Sequence, residues 1–341
     1  MLLTRRHATI ALATSGIASS FSVRAASPTR VSFGSINATS DAGAYLADAF
    51  GYCREEGLEI AFQVIQNAPA IIAAVATSQL DVGGLSVTPG LFTAPQQGID
   101  LRIVGDKQSF SRGFGSTKIV VGKTSLRPTE AETVQGLKGK TVAINSKGAI
   151  TFYLVAKLLE KHGMSLRDIN LVEQSYANIS VGIITGNIDA GTLIEPFVTK
   201  AIEQAGAQLV DPDLLDLIPD GQMSVTPLVY SEKFRARKDV ANAFMRAYVR
   251  GVRAYNDAFV KGIRKDEVIA IIAKRTDVDA KLIEKSYLPG LDPNQKLNLA
   301  GFEAVQAFYA SQGLVRKPIK VADVVDDSFA KAAVQSLGEY K

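Results

Sequence analysis

The chain has 341 residues, 47% hydrophobic and 21% charged, with a formal charge of +4; it is too long for one ordinary core and too apolar for disorder, so two globular lobes are expected. At this length roughly three quarters of the unfolded surface becomes buried, and no disulfide or metal is needed for stability. One cysteine (Cys53), two histidines (His7, His162), 7% aromatics and no Trp exclude zinc clusters and disulfide frameworks and leave no nucleic-acid footprint.

The first segment, residues 1–25, has the plan of an export signal. Arg5 and Arg6 form a basic start, Ala8 to Ala18 an apolar run of small residues, and Val23-Arg24-Ala25 a cleavage site. The run is far shorter than the roughly 20 residues that span a bilayer. Thr4-Arg5-Arg6 is similar to a twin-arginine signal, with the general secretory route as the alternative. Cleavage removes Arg5, Arg6 and Arg24 from 38 basic residues, leaving near balance with 34 acidic ones.

An internal repeat follows. Residues 71–85, ending Leu80-Asp81-Val82-Gly83-Gly84-Leu85, match residues 179–193, ending Ile188-Asp189-Ala190-Gly191-Thr192-Leu193. Each copy is preceded by a strand, a helix, a Gly stop and a second strand. In the first these are Thr29 to Ser35, a helix capped by Ser40-Asp41, Gly57, and Leu58 to Ile65. In the second they are Lys140 to Ser146, a helix with Phe152, Val155, Leu158, Leu159 and His162 on one face, Gly163, and Ile169 to Glu173. Two β-α-β-α-β units predict two parallel-rich sheets covered by helices. The extended runs Ser116 to Val121 and Met223 to Tyr230 read as two crossings of a hinge. Helices are expected over Asp239–Val260, Glu267–Lys274, Ala280–Tyr287 and Leu299–Gln312, packed on the first lobe. The expected division is 26–116 with 225–341 as lobe one and 117–224 as lobe two.

Over residues 29 to 330 the chain resembles the periplasmic solute-binding proteins of ABC importers. The similarity is to the NMT1/THI5-like group that binds nitrate, sulfonates, taurine and thiamine-pyrimidine precursors. The motifs that carry it are Gly136-Leu137-Lys138-Gly139-Lys140-Thr141-Val142-Ala143, Leu158-Leu159-Glu160-Lys161-His162-Gly163 and Gly186-Asn187-Ile188-Asp189-Ala190-Gly191, in that order. Two positions depart from the sulfonate binders. Ser146-Lys147-Gly148-Ala149 stands where Gly-Ser-Thr is common, and Glu195, not an aromatic, precedes Pro196. The resemblance implies an α/β, two-lobed periplasmic-binding-protein type II fold with two hinge crossings. It also implies a small-molecule ligand, ABC permease and ATPase partners, a periplasmic location and a monomer; no cofactor and no nucleic acid are expected.

In that architecture a ligand sits between the lobes, at strand ends and helix starts whose free N–H groups hold oxygen atoms without Lys or Arg. The candidate contacts are Ser35, Asn37, Thr39, Tyr45, Ser86 and Val87 in lobe one. In lobe two they are Asn145, Ser146, Gly148, Ala149, Thr151, Tyr176, Asn178 and Glu195. Ser and Asn also favour helix starts for capping alone. Glu195 suits a ligand amine or ring N–H, or else faces solvent or pairs with Lys200. Tyr45, Phe152 and Tyr176 suit a flat ligand, although an aromatic on an apolar helix face is usually core. Lys147 and Arg112 are candidate charges for an anion. Asp81 and Asp189, each in a helix-to-strand turn, are expected to bond local backbone. Cys53 and His162 show no partner in sequence and are expected to be structural. Glu55-Glu56 and Lys157-Lys161 are candidate docking faces for the permease. Binding would close the hinge because the ligand touches both lobes. The alternative is an exported or relocated enzyme of the same fold acting on a pyrimidine or cofactor precursor.

Overall fold

The computed structural model describes residues 27–65, 68–211 and 214–341; the export signal expected at 1–25 lies outside them. The chain opens with β1 (Thr29–Ser35), α1 (Ala42–Ala49), α2 (Tyr52–Glu55), β2 (Leu58–Val64), α3 (Ala68–Ala76), β3 (Val82–Gly84), α4 (Pro89–Thr93) and β4 (Leu101–Phe110). It crosses to β5 (Thr117–Val121), α5 (Glu130–Gln135), β6 (Thr141–Ile144), α6 (Ile150–Lys161), β7 (Asn170–Glu173), α7 (Tyr176–Thr185), β8 (Ala190–Ile194), α8 (Phe197–Ala205) and β9 (Gln208–Val210). It returns as β10 (Met223–Ser231) and ends in α9 (Glu232–Ala236), α10 (Lys238–Lys261), α11 (Lys265–Thr276), α12 (Ala280–Lys285), α13 (Leu299–Ser311) and α14 (Ser328–Leu337).

Two five-stranded sheets result, in the orders β2-β1-β3-β10-β4 and β7-β6-β8-β5-β9. In the first, β1 pairs in parallel with β2 and β3, and β10 runs antiparallel between β3 and β4. In the second, β6 pairs in parallel with β7 and β8, and β5 runs antiparallel between β8 and β9. The runs read from sequence as hinge crossings are therefore interior strands, each inserted just after the chain arrives from the other lobe. Every residue of β5 and β10 is buried, as befits interior strands of covered sheets. The crossings themselves lie in the stretches before them, residues 111–116 and, among the described residues, 214–222.

The repeat extends to side-chain detail. Asp81 Oδ2 accepts the Ser32 N–H at 2.8 Å and Asp189 Oδ2 the Thr141 N–H at 3.0 Å, so each Asp ties its turn to the first strand of its own unit, β1 or β6.

Lobe one is held by α1 lying against the middle of α10. A Cβ on Gly251 would come within 2.0 Å of the Gly43 carbonyl oxygen, so the two backbones touch there. Around them pack Phe33, Phe234, Phe244, Tyr230 and Tyr248, all buried. One arrangement was not legible in sequence. Helix α13 packs against lobe two as well as lobe one, its Phe308 ring standing 4.9 Å from Phe152 and 5.6 Å from Tyr153 of α6. Phe152 is thus part of an apolar contact between lobes. At the start of α13, the Asn298 amide donates to Pro219 O at 2.7 Å and Gln222 O at 2.5 Å, fixing the second crossing.

Strand β4 contains Asp106-Lys107-Gln108-Ser109, a polar run that nevertheless lies inside. Burial pushes the Asp106 carboxyl up to about 7, against hydrogen bonds from Ser224 Oγ and the Asp292 N–H that lower it. A carboxyl that holds its proton more tightly folded than unfolded contributes stability fully present below about pH 4, and this is lost as pH rises through about 7. The expected loss from this one group is on the order of 4 kcal/mol. Asp106→Asn will flatten the fall of melting temperature between pH 4 and 7; a profile parallel to the parent would assign that pH dependence elsewhere.

Candidate functional site

Between the two sheets lies a cavity of about 520 Å³. Lobe one contributes the loop after β1 (Ile36, Thr39, Ser40), the end of β3 (Gly84 to Ser86), Gln108 and Thr226. Lobe two contributes Thr117, Asn145, the start of α6 at Ala149 and Ile150, Tyr176, and the end of β8 at Ile194 and Glu195. An apolar wall comes from Val278, Leu282 and Ile283, and the segment 286–289 completes the lining. Among the described residues that line it, Glu195 is the one Asp, Glu, Lys or Arg.

Two features set the electrostatics. The N-cap of α6 is Ala149, which brings no side-chain oxygen to the first turn; the Phe152 N–H turns back to Ala149 O at 3.0 Å, and the Ile150 and Thr151 N–H groups keep their capacity for an oxygen acceptor in the cavity. Beneath the lobe-one floor, Lys107 Nζ lies 2.7 Å from Asp41 Oδ1 and 3.0 Å from Ser40 Oγ, both charged side chains being fully buried. Asp41 Oδ2 in turn accepts the Ser35 hydroxyl at 2.8 Å, the Ile36 N–H at 3.1 Å and the Ala38 N–H at 3.3 Å. The loop that carries Thr39 and Ser40 is therefore held from behind by a buried ion pair.

Of the residues anticipated from sequence, Thr39, Ser86, Asn145, Ala149, Tyr176 and Glu195 line the cavity. Burial pushes the Tyr176 hydroxyl up to about 12, so it remains a neutral donor and acceptor. The others are placed elsewhere. Ser35 and Tyr45 are buried, bonded to each other at 3.0 Å, and the Tyr45 ring packs 5.3 Å from Phe62. Asn37 takes a left-handed backbone (φ 57°), with its N–H donated to Ser35 Oγ. Val87 is buried, its carbonyl accepting from the Tyr309 hydroxyl. Ser146 Oγ accepts the Gly148 N–H at 3.0 Å, and Thr151 Oγ1 donates to Asn145 Oδ1 at 2.6 Å, steadying the loop and the Asn145 amide. Asn178 is exposed, donating its side-chain amide to Gln174.

Lys147 and Arg112 do not line the cavity; Arg112 sits on the first crossing beside Asp216, Asp220 and Gln222 of the second. His162 has a partner that the sequence did not suggest. Its Nε2 lies 2.9 Å from Glu130 Oε1, and although partial burial raises the Glu130 carboxyl, hydrogen bonds from His162 and Lys161 outweigh it and hold the carboxyl below its usual value. The charges anticipated as docking faces are joined within the chain: Glu56 to Arg246, Glu55 to Arg250, Lys157 to Glu160, and Lys161 to Glu130. Sequence reasoning missed Ser40, Gln108, Thr117 and Thr226. The last two stand in extended runs read as hinge crossings, and Gln108 in a stretch where the sequence suggested no element.

Two doubly covered sheets of matching order, joined by two crossings and enclosing a cavity lined from both sides, define a periplasmic-binding-protein fold. The chain belongs to the NMT1/THI5 like family, whose model matches residues 38–257. Over 228 residues it is 27% identical to a putative aliphatic sulfonates-binding protein of Escherichia coli K12, a match spanning 66% of this chain and 64% of that relative's length. In structure it is similar to the periplasmic aliphatic sulphonate binding protein SsuA from Escherichia coli, with a TM-score of 0.70, 20% identity, and coverage of 89% of this chain and 99% of that one. It is also similar to the desulfurization enzyme DSZB, with a TM-score of 0.64, 16% identity, and coverage of 91% and 99%.

Proposed function

We propose that this chain is the solute-capturing component of an ABC importer, taking a small organic molecule with an oxygen-rich head, such as a sulfonate, into the cleft between lobes. The observation that carries this reading is the cavity itself. Its lobe-two side presents the start of α6 without a capping side chain, and its other wall is apolar at Val278, Leu282 and Ile283. A helix start suits an anionic head and the apolar wall suits a carbon tail. On this reading residues 26–116 with 225–341 form one lobe and 117–224 the other. The protein works in the periplasm after export, and contacts from the solute to both lobes favour the closed arrangement that a permease would read.

Capture rather than turnover is supported by the lining. Among the described residues that line it there is no cysteine, histidine or lysine, and Cys53 is buried on α2, where burial and the neighbouring Asp48 and Glu56 push its thiol up to about 12. A thermal-shift panel of alkanesulfonates, taurine, nitrate and aminopyrimidines tests the proposal. The melting temperature is expected to rise with the logarithm of concentration for alkanesulfonates; no shift with any organic solute would overturn it, and chemical conversion of the solute by the protein alone would favour an enzyme.

A further inference from the structure

The carboxylate of Glu195 is already engaged from both sides of the cleft. Within lobe two, the Thr199 N–H donates to Oε2 at 3.2 Å and the Thr199 hydroxyl to Oε1 at 3.0 Å, which fixes the side chain over the start of α8. From lobe one, the main-chain N–H of Tyr287 donates to Oε1 at 2.9 Å.

Tyr287 belongs to a strap anchored firmly in lobe one. Ser109 of β4 exchanges hydrogen bonds with Gly290, N to O at 2.8 Å and O to N at 3.1 Å, and the Tyr255 hydroxyl of α10 donates to Pro289 O at 2.8 Å. A Cβ on Gly290 would fall 2.6 Å from Ser109 O, so glycine lets the strap lie flat against the strand. Past the strap, the Gly115 N–H on the first crossing donates to Leu288 O at 2.8 Å, and the Lys118 ammonium of lobe two lies 4.9 Å from the Tyr287 ring centroid.

We propose that Glu195 is a closure clasp, a positioning residue whose carboxylate in lobe two grips the Tyr287 N–H of lobe one and holds the lobes together across the cavity. Two of the contacts between lobes differ in kind. The meeting of Phe308 with Phe152 and Tyr153 is apolar and has no directional bond to lose, so it tolerates rotation. The clasp is a single charge-assisted hydrogen bond with a fixed direction, and separating the lobes at that point breaks it. Since its oxygens are turned to Thr199 and Tyr287, Glu195 shapes the cavity by joining its walls.

The test needs no solute, so its outcome is independent of what the cleft takes. Nitroxide labels are placed at Val64→Cys in lobe one and Val181→Cys in lobe two, both more than half exposed, while buried Cys53 stays unlabelled. Pulsed dipolar spectroscopy then reads the distance between lobes. Glu195→Ala is expected to raise the ratio of long to short distances several-fold over the parent. Glu195→Gln, whose amide oxygen still accepts the Tyr287 N–H, is expected to stay within about twofold of the parent. Superimposable distributions for the parent and Glu195→Ala would overturn the clasp. So would equal opening in Glu195→Gln and Glu195→Ala, since the effect would then belong to the lost charge.

Discussion

Lys107→Met will lower the melting temperature by roughly 10 °C, corresponding to about 3–5 kcal/mol, and will weaken binding in the cleft as well. Both Lys107 and Asp41 are fully buried, so removing the ammonium leaves a carboxylate shut off from solvent without its opposing charge. Its remaining hydrogen bonds from Ser35, Ile36 and Ala38 do not neutralise it. The loop that relaxes around this carboxylate is the one that presents Thr39 and Ser40 to the cavity. The double variant Lys107→Met with Asp41→Asn removes the orphaned charge and is expected to recover more than half of the lost stability. Calorimetric melting of the three proteins checks this; a single variant within 1 kcal/mol of the parent would show that the pair is not what holds the loop.

Gly251→Ala will cost at least about 3 kcal/mol in urea unfolding, the upper end of what overpacking exacts. The new methyl would sit 2.0 Å from Gly43 O and 2.8 Å from Ala47 N, both backbone atoms of α1, so no side chain can swing aside to admit it. The helices must part, and α1 carries with it the segment that enters the cleft. Gly90→Ala is the control. There the methyl meets nothing closer than the Ile72 side chain at 3.4 Å, and a change of less than about 1 kcal/mol is expected. Equal stability of Gly251→Ala and the parent would mean that α1 and α10 do not cross at that glycine.

The parallel units were legible because their signal is local. Thr29 to Ser35 and Ala190 to Ile194 are strands over the residues expected, the helix expected over Asp239–Val260 runs Lys238–Lys261, and the twin Asp81 and Asp189 mark equivalent turns. What escaped the sequence depends on long-range pairing. Strand β4 hides a polar run whose burial makes sense only once Asp41, Ser224 and Asp292 are brought to it by other elements. The placement of β5 and β10 inside the sheets cannot be read from their own residues, since an apolar strand at a crossing and one at a sheet centre look alike. At the site, strand-end position found Thr39, Asn145 and Glu195, but it gave equal weight to Ser35 and Thr151, whose hydroxyls turn inward to Asp41 and Asn145. Position on a strand end does not encode the direction of a side chain.

The most direct measurement of the central claim is a calorimetric titration of alkanesulfonates of increasing chain length into the parent and into Ser86→Trp, which places an indole in the cavity that Ser86 lines. Capture between the lobes predicts one-to-one binding that tightens with chain length, consistent with an apolar wall at Val278 and Leu282, and that is lost in Ser86→Trp. Binding of the same strength in both proteins would place the solute somewhere other than the cleft and contradict the account.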